Sequence, residues 1–165
     1  MPVRPVLEYP DPRLKQRCAP LHDLDRAAQV AADLVETMRS HPRCVGLAAP
    51  QIGELVRVVA IDVTGHPKAA SCAGLAVLVN PVVVSSEGDE LGREGCLSIP
   101  ELTGNVRRAA AVTVAAVTPE GEPLTIAADA FEARVIQHEL DHLDGILFLD
   151  RVASRRDVFR RRSYG

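Results

Sequence analysis

The run from residue 129 to 143, DAFEARVIQHELDHL, constrains the fold of this chain more than any other segment. It reads as a helix, with Asp129 or a neighbour as its cap and Gly145 just past its end, where helices commonly stop. Val135, Ile136 and Leu143 make it a helix to be buried, yet it carries His138, Glu139 and His142. Burying two imidazoles and a carboxylate without partners is costly. A fold that encloses this helix must therefore give those groups something to bind, and a metal ion resolves the cost.

His138 and His142 stand four residues apart, so both rings lie on one helix face. Glu139 is about 100° further round, where it reaches a water activated at the metal without being a ligand. This is the HExxH arrangement, in which the carboxylate serves as general base. The bland alternative is two surface histidines on an amphipathic helix. Two histidines also leave a catalytic site short of the usual three protein ligands. Downstream lie Asp144, Asp150 and Asp157 but no His or Cys, and Asp144 faces away from the pair. Upstream, Cys96 in GCLSIP is a candidate, although a lone Cys is commonly just a buried apolar thiol.

The rest of the chain predicts α+β architecture. Residues 24 to 40 carry apolar side chains at helical spacing, with Asp23 as N-cap. Strand-like runs follow at 55–63, 75–79, 82–85, 111–117 and 123–127, the last two joined by the turn TPEGEP as a hairpin. SEGDELGRE reads as a polar turn. The strands cluster between the two helices rather than alternating with them. The expected fold is antiparallel strands packed around a central metal-binding HExxH helix, with an N-terminal helix. At 165 residues, 1–165 is expected to form a single catalytic domain.

Only 3% of the residues are aromatic and there is no Trp, which argues against a base-stacking nucleic-acid platform and against sequence-specific nucleic-acid binding. Residues 151–165 hold six Arg against one Asp, a local +5 on a chain of net charge −3. This basic tail, from about 153 to 165, is either a solvated terminus or a contact for an anionic partner. No apolar run reaches the roughly 18–20 residues that span a bilayer, so no membrane association is expected. The start, MPVRPVLEYPDPRL, has no signal-peptide apolar region, and the expected setting is the cytoplasm. Cys18, Cys44, Cys72 and Cys96 form neither a CxxC pair nor a secreted disulfide framework.

Three segments, GLAAPQ at 46–51, EGCLS at 94–98 and QHELDH at 137–142, resemble in order and separation the three motifs of the peptide deformylase family. YPDPRL, RVVAIDV, the NP at 80–81 and HLDGILFLDR extend the resemblance over roughly residues 3 to 152. It implies a metallo-amidohydrolase acting on a linear amide, which removes the formyl group from N-terminal formyl-methionine of new polypeptides and releases formate. It further implies a divalent metal, ferrous iron first with zinc, nickel or cobalt able to replace it, held by Cys96, His138 and His142. Glu139 is then the acid and base, and Gln51 with the backbone N–H of Leu97 would stabilise the oxyanion. The substrates implied are N-formylmethionyl peptides and nascent chains, and the basic tail would suit the RNA surface of a ribosome.

Substrate contacts are expected from Val45, Gly46 and Leu97 along the peptide backbone, and from Phe131, Arg134 and Val135 around the methionine side chain. Two positions depart from the family pattern: Cys44 stands where Gly is usual, and Thr103 where some bacterial members carry a basic residue. The competing readings are an HExxH peptidase acting on internal peptide bonds and a non-catalytic relative that binds peptides or ribosomes.

Overall fold

The computed structural model describes residues 3–161. In chain order, helix α1 covers Leu24–Ser40 and strands β1 and β2 cover Gly46–Ala48 and Val58–Ile61. Strands β3 to β7 cover Ala76–Glu87, Glu90–Cys96, Ile99–Arg108, Ala111–Val117 and Pro123–Asp129. Helix α2 covers Ala130–Leu143, and a last strand, β8, covers Val158–Arg160. The strands form a five-stranded sheet in the order β1-β2-β3-β6-β7 and a three-stranded sheet in the order β4-β5-β8, with antiparallel neighbours throughout.

Both faces of the larger sheet are covered, as β2 makes plain. All four of its residues are buried, and because side chains alternate along a strand they serve opposite layers. Val58 and Ala60 pack with Val30, Leu34 and Met38 of α1, whereas Val59 and Ile61 pack with Ala133, Ile136 and Leu143 of α2. A third cluster joins Cys96, Ile99 and Val106 of the smaller sheet to Leu14, Leu147 and Phe148. Helix α2 also reaches that sheet through Arg134, which donates to the carbonyls of Val106 and Glu90 at 2.8 Å each. The HExxH helix therefore lies between the two sheets.

Helix α1 starts as the sequence predicts: the Asp23 side chain accepts from the backbone N–H of Arg26 at 3.1 Å. Helix α2 begins after Asp129, but that side chain accepts from the backbone N–H of Ser71 instead of capping the helix. Its end is fixed by Gly145, which takes φ +74°, and a Cβ there would lie 2.6 Å from the carbonyl of Lys15.

Two strand readings are revised. The runs at 75–79 and 82–85 belong to the single strand β3, broken in register at Asn80–Pro81, where Asn80 takes φ +52°. Proline donates nothing to a ladder, so the strand bulges there and continues. The Asn80 side chain meanwhile accepts from Leu21 N and donates to Leu21 O, both at 2.9 Å, which ties the entry of α1 to the sheet. The polar run at 86–94 is the end of β3, a turn and the start of β4. Its side chains are mostly exposed, so no apolar alternation marks it as strand.

Part of the basic C-terminal segment is docked. Val158, Phe159 and Arg160 pair with Gly104, Thr103 and Leu102 of β5. Residues 162–165, including Arg162, lie outside the described residues. Among those described, no helix is long and apolar enough to cross a membrane.

Candidate metal centre

The sequence brings three donors to one point from two directions. His138 and His142 project from one face of α2, and Cys96 comes from the last residue of β4. One ligand atom from each lies within 4.8 Å of the others, and all three residues are buried. Sγ of Cys96 is 3.4 Å from Nε2 of His142. A tetrahedral ion holding a sulfur at ~2.3 Å and a nitrogen at ~2.1 Å sets them roughly 3.6 Å apart, so the spacing fits. Glu139, 5% exposed, lies beside them, and its Oε1 has no hydrogen-bond partner. A buried oxygen left without a partner is costly unless something else occupies its side of the site. Asp144 turns away, as expected, and pairs with Arg57 at 3.0 Å.

The surroundings tune these groups. Burial lifts the Glu139 carboxyl to about 7, against the opposing pull of His138. Burial pushes His142 well below the ordinary imidazole range. Burial opposes charge on His138 as well, but its hydrogen bonds with Cys96 and Glu94 prevail and raise its pKa. Sulfur and nitrogen donors together suit several first-row metals.

Behind these donors lies a charge network that the sequence reading missed. Nδ1 of His138 and Oε1 of Glu94 are 2.8 Å apart, which leaves Nε2 of that ring as the nitrogen open to an ion. Glu94 is buried and receives Arg108 at 2.9 and 3.0 Å and Arg134 at 2.8 Å. Burial works against its charge, yet the bonds from Arg108 and His138 hold its carboxyl well below the usual range. Arg108 continues to Asp141, and Asp141 to Arg151. One signal was available: Arg134 sits four residues before His138, on the same helix face.

Gln51 is 1% exposed and held on both sides of its amide. Its Oε1 accepts from Ala48 N at 3.0 Å, and its Nε2 donates to Ser98 Oγ at 3.0 Å and points at Cys96 Sγ at 3.4 Å. A cavity of about 240 Å³ opens onto these residues, lined among others by Val45, Gly46, Gln51, Leu97, Phe131, Arg134, Val135 and Glu139. All the residues read as substrate contacts therefore border one cleft. His66, which the sequence did not mark, borders it too and stacks on Phe131 with ring centroids 4.0 Å apart.

Gly46 is needed here by close approach. A Cβ on it would lie 2.7 Å from Oε2 of Glu139 and 2.9 Å from Cγ1 of Val135. Cys44, the first departure, lines the cleft with its Sγ 3.3 Å from the Gly46 carbonyl, and burial pushes its thiol up to about 12. Thr103, the second, accepts from Nη1 of Arg93 at 3.3 Å.

Two imidazoles, a thiol and a buried carboxylate at the floor of a cleft, on an HExxH helix between antiparallel sheets, define the class of metal-dependent hydrolases. The family model "Polypeptide deformylase" matches residues 3–158. The peptide deformylase 2 of Vibrio parahaemolyticus is 41% identical over 150 residues, covering 91% of this chain and 86% of that protein. Crystal structures of a peptide deformylase from Legionella pneumophila and of a Met-Ala-Ser-bound one from Acinetobacter baumannii both superpose with a TM-score of 0.84. They are 38% and 36% identical, and each match covers 92% of this chain, with 87% and 100% of the respective relative. The chain belongs to the polypeptide deformylase family.

Proposed function

We infer that this chain hydrolyses the formyl group from N-terminal formyl-methionine of newly made polypeptides and releases formate. The observation that carries the reading is the convergence of Cys96, His138 and His142 within 4.8 Å, with the unpartnered Glu139 carboxylate beside them. Cys96, His138 and His142 would hold one divalent ion, ferrous iron in the first instance, with zinc, nickel or cobalt as substitutes. When bound, that ion supplies the Lewis acidity that makes water nucleophilic near neutral pH.

The protein's own groups do the rest. Glu139 accepts a proton from the attacking water and later delivers it to the departing amine. A carboxyl lifted to about 7 is suited to both tasks near neutral pH. As the formyl carbon becomes tetrahedral, its oxygen gains charge. An amide nitrogen has two N–H donors: Gln51 gives one to Ser98, and the other, which faces Cys96 Sγ at 3.4 Å, would turn to that oxygen beside the Leu97 N–H. The C–N bond then breaks, giving formate and a free amine.

Val45, Gly46 and Leu97 would align the peptide backbone as an added extended strand, and Val135 would line the methionine pocket. The Met-Ala-Ser bound to the Acinetobacter relative supports a peptide as occupant of this cleft. We take residues 1–165 to be one catalytic domain acting in the cytoplasm. Ribosome contact would use the exposed Arg155, Arg156 and Arg160. Replacing those three with Ala should weaken salt-sensitive ribosome co-sedimentation, and equal sedimentation would remove that role.

The test is formate release from formyl-Met-Ala-Ser by metal-loaded protein, measured beside cleavage of an internal amide. Formate without internal cleavage is expected. Internal cleavage alone would favour the peptidase reading. No turnover of either, with Glu139→Ala indistinguishable from the parent, would favour a non-catalytic binder.

A further inference from the structure

Arg93 borders the same cleft as Cys96 and Glu139 but lies outside the catalytic machinery described above. It is exposed on β4, and every group that fixes it is neutral. Its Nε donates to Asn105 Oδ1 at 3.2 Å and its Nη1 to Thr103 Oγ1 at 3.3 Å, while its Cζ lies 3.7 Å from the ring centroid of Phe159. Among the described residues no carboxylate forms an ion pair with it. The two carboxylates that line this cleft are committed elsewhere: Glu94 to Arg108, Arg134 and His138, and Glu139 to the floor of the site.

A second cation borders the cleft nearby. Arg161 borders the same cleft, and a Cβ on Gly95 would lie 2.1 Å from its Nη2. The glycine between Glu94 and Cys96 thus leaves room for a guanidinium beside the strand. The chain as a whole is acidic, with net charge −3, yet Arg43, Arg93 and Arg161 all border this cleft. A guanidinium presents its N–H groups as a planar fork that matches a carboxylate, and that of Arg93 already sits over the Phe159 ring.

We propose that Arg93 is a specificity-determining residue that selects formylated peptides carrying an aspartate or glutamate near the methionine. Arg93 precedes Cys96 by three residues on a strand, about 10 Å. An extended peptide advances about 3.4 Å per residue, so the acid falls at its second or third residue, counting the methionine as first. The proposal rests on the deformylase reading of the cleft.

The test compares formate release from formyl-Met-Ala-Asp-Ala-amide and formyl-Met-Ala-Asn-Ala-amide, and from the same pair with the acid at the second residue. Amidation leaves the side chain as the sole carboxylate. At low ionic strength the better-placed Asp peptide should show about three- to tenfold higher kcat/KM than its Asn isostere, and the ratio should shrink as salt is added. Arg93→Glu should invert the preference towards a Lys-bearing peptide, an outcome that a merely structural role would not produce. Equal rates for Asp and Asn at both positions, or an unchanged ratio in Arg93→Glu, would overturn the proposal. Absence of formate from every peptide would instead overturn the reading of the function beneath it.

Discussion

Nδ1 of His138 lies 2.8 Å from Oε1 of Glu94, so a residue two positions before one proposed ligand orients the ring of another. Partners of this kind fix tautomer and ring direction, and losing them typically lowers metal affinity 10- to 100-fold. Glu94→Gln keeps the size but removes the charge that faces Arg108 and Arg134. Its metal affinity, measured by chelator competition, should fall by about 10- to 100-fold. Its unfolding free energy, from denaturant titration, should fall by about 3–5 kcal/mol because buried arginines lose their counter-charge.

Gly46→Ala tests the close approach of β1 to α2. The new Cβ would fall 2.7 Å from Oε2 of Glu139 and must displace that carboxylate. A misplacement near 1 Å costs on the order of 10²-fold in rate. The kcat for formyl-Met-Ala-Ser should drop by about that factor, while metal content, measured by elemental analysis, stays at the parent level.

Metal removal should appear in stability as well as in activity. A ligand present at about 100 times its Kd stabilises the folded state by about 2.7 kcal/mol. For a chain of this size that is roughly 5–11 °C in Tm. Differential scanning calorimetry of chelator-stripped and reloaded protein measures the difference. Cys96→Ser should reduce it, since a hydroxyl is a poorer ligand than a thiolate for these ions.

The tie between Asn80 and Leu21 offers a test away from the site. Asn80→Ala removes two hydrogen bonds and places an alanine at φ +52°. About 1 kcal/mol per bond and about 1–2 kcal/mol for the left-handed conformation give an expected loss of about 3–4 kcal/mol in urea unfolding, with kcat little changed.

What was legible in the sequence follows from distance along the chain. The histidines and Glu139 share one helix turn, so spacing alone put them together. Helix α1 and the β6–β7 hairpin were equally local, with a cap or a turn to mark them. Cys96 lies 42 residues before His138, and only the family resemblance joined them. Glu94, Arg108 and Asp141 come from β4, β5 and α2, and nothing local in any of these segments announces the others. The β4–β5 hairpin escaped for a related reason: cross-strand pairing and buried ion pairs hold it in place of an apolar stripe. The docking of β8 was hidden in a segment whose arginines dominate its composition.

The central claim is that Glu139 moves the proton while Cys96, His138 and His142 hold the metal. The most direct measurement is formate release from formyl-Met-Ala-Ser by anaerobically purified, iron-loaded Glu139→Ala, with bound metal counted in the same sample. We predict full metal occupancy and kcat reduced by about 10²- to 10⁴-fold. Parent-level formate release from a fully loaded Glu139→Ala protein would contradict the account.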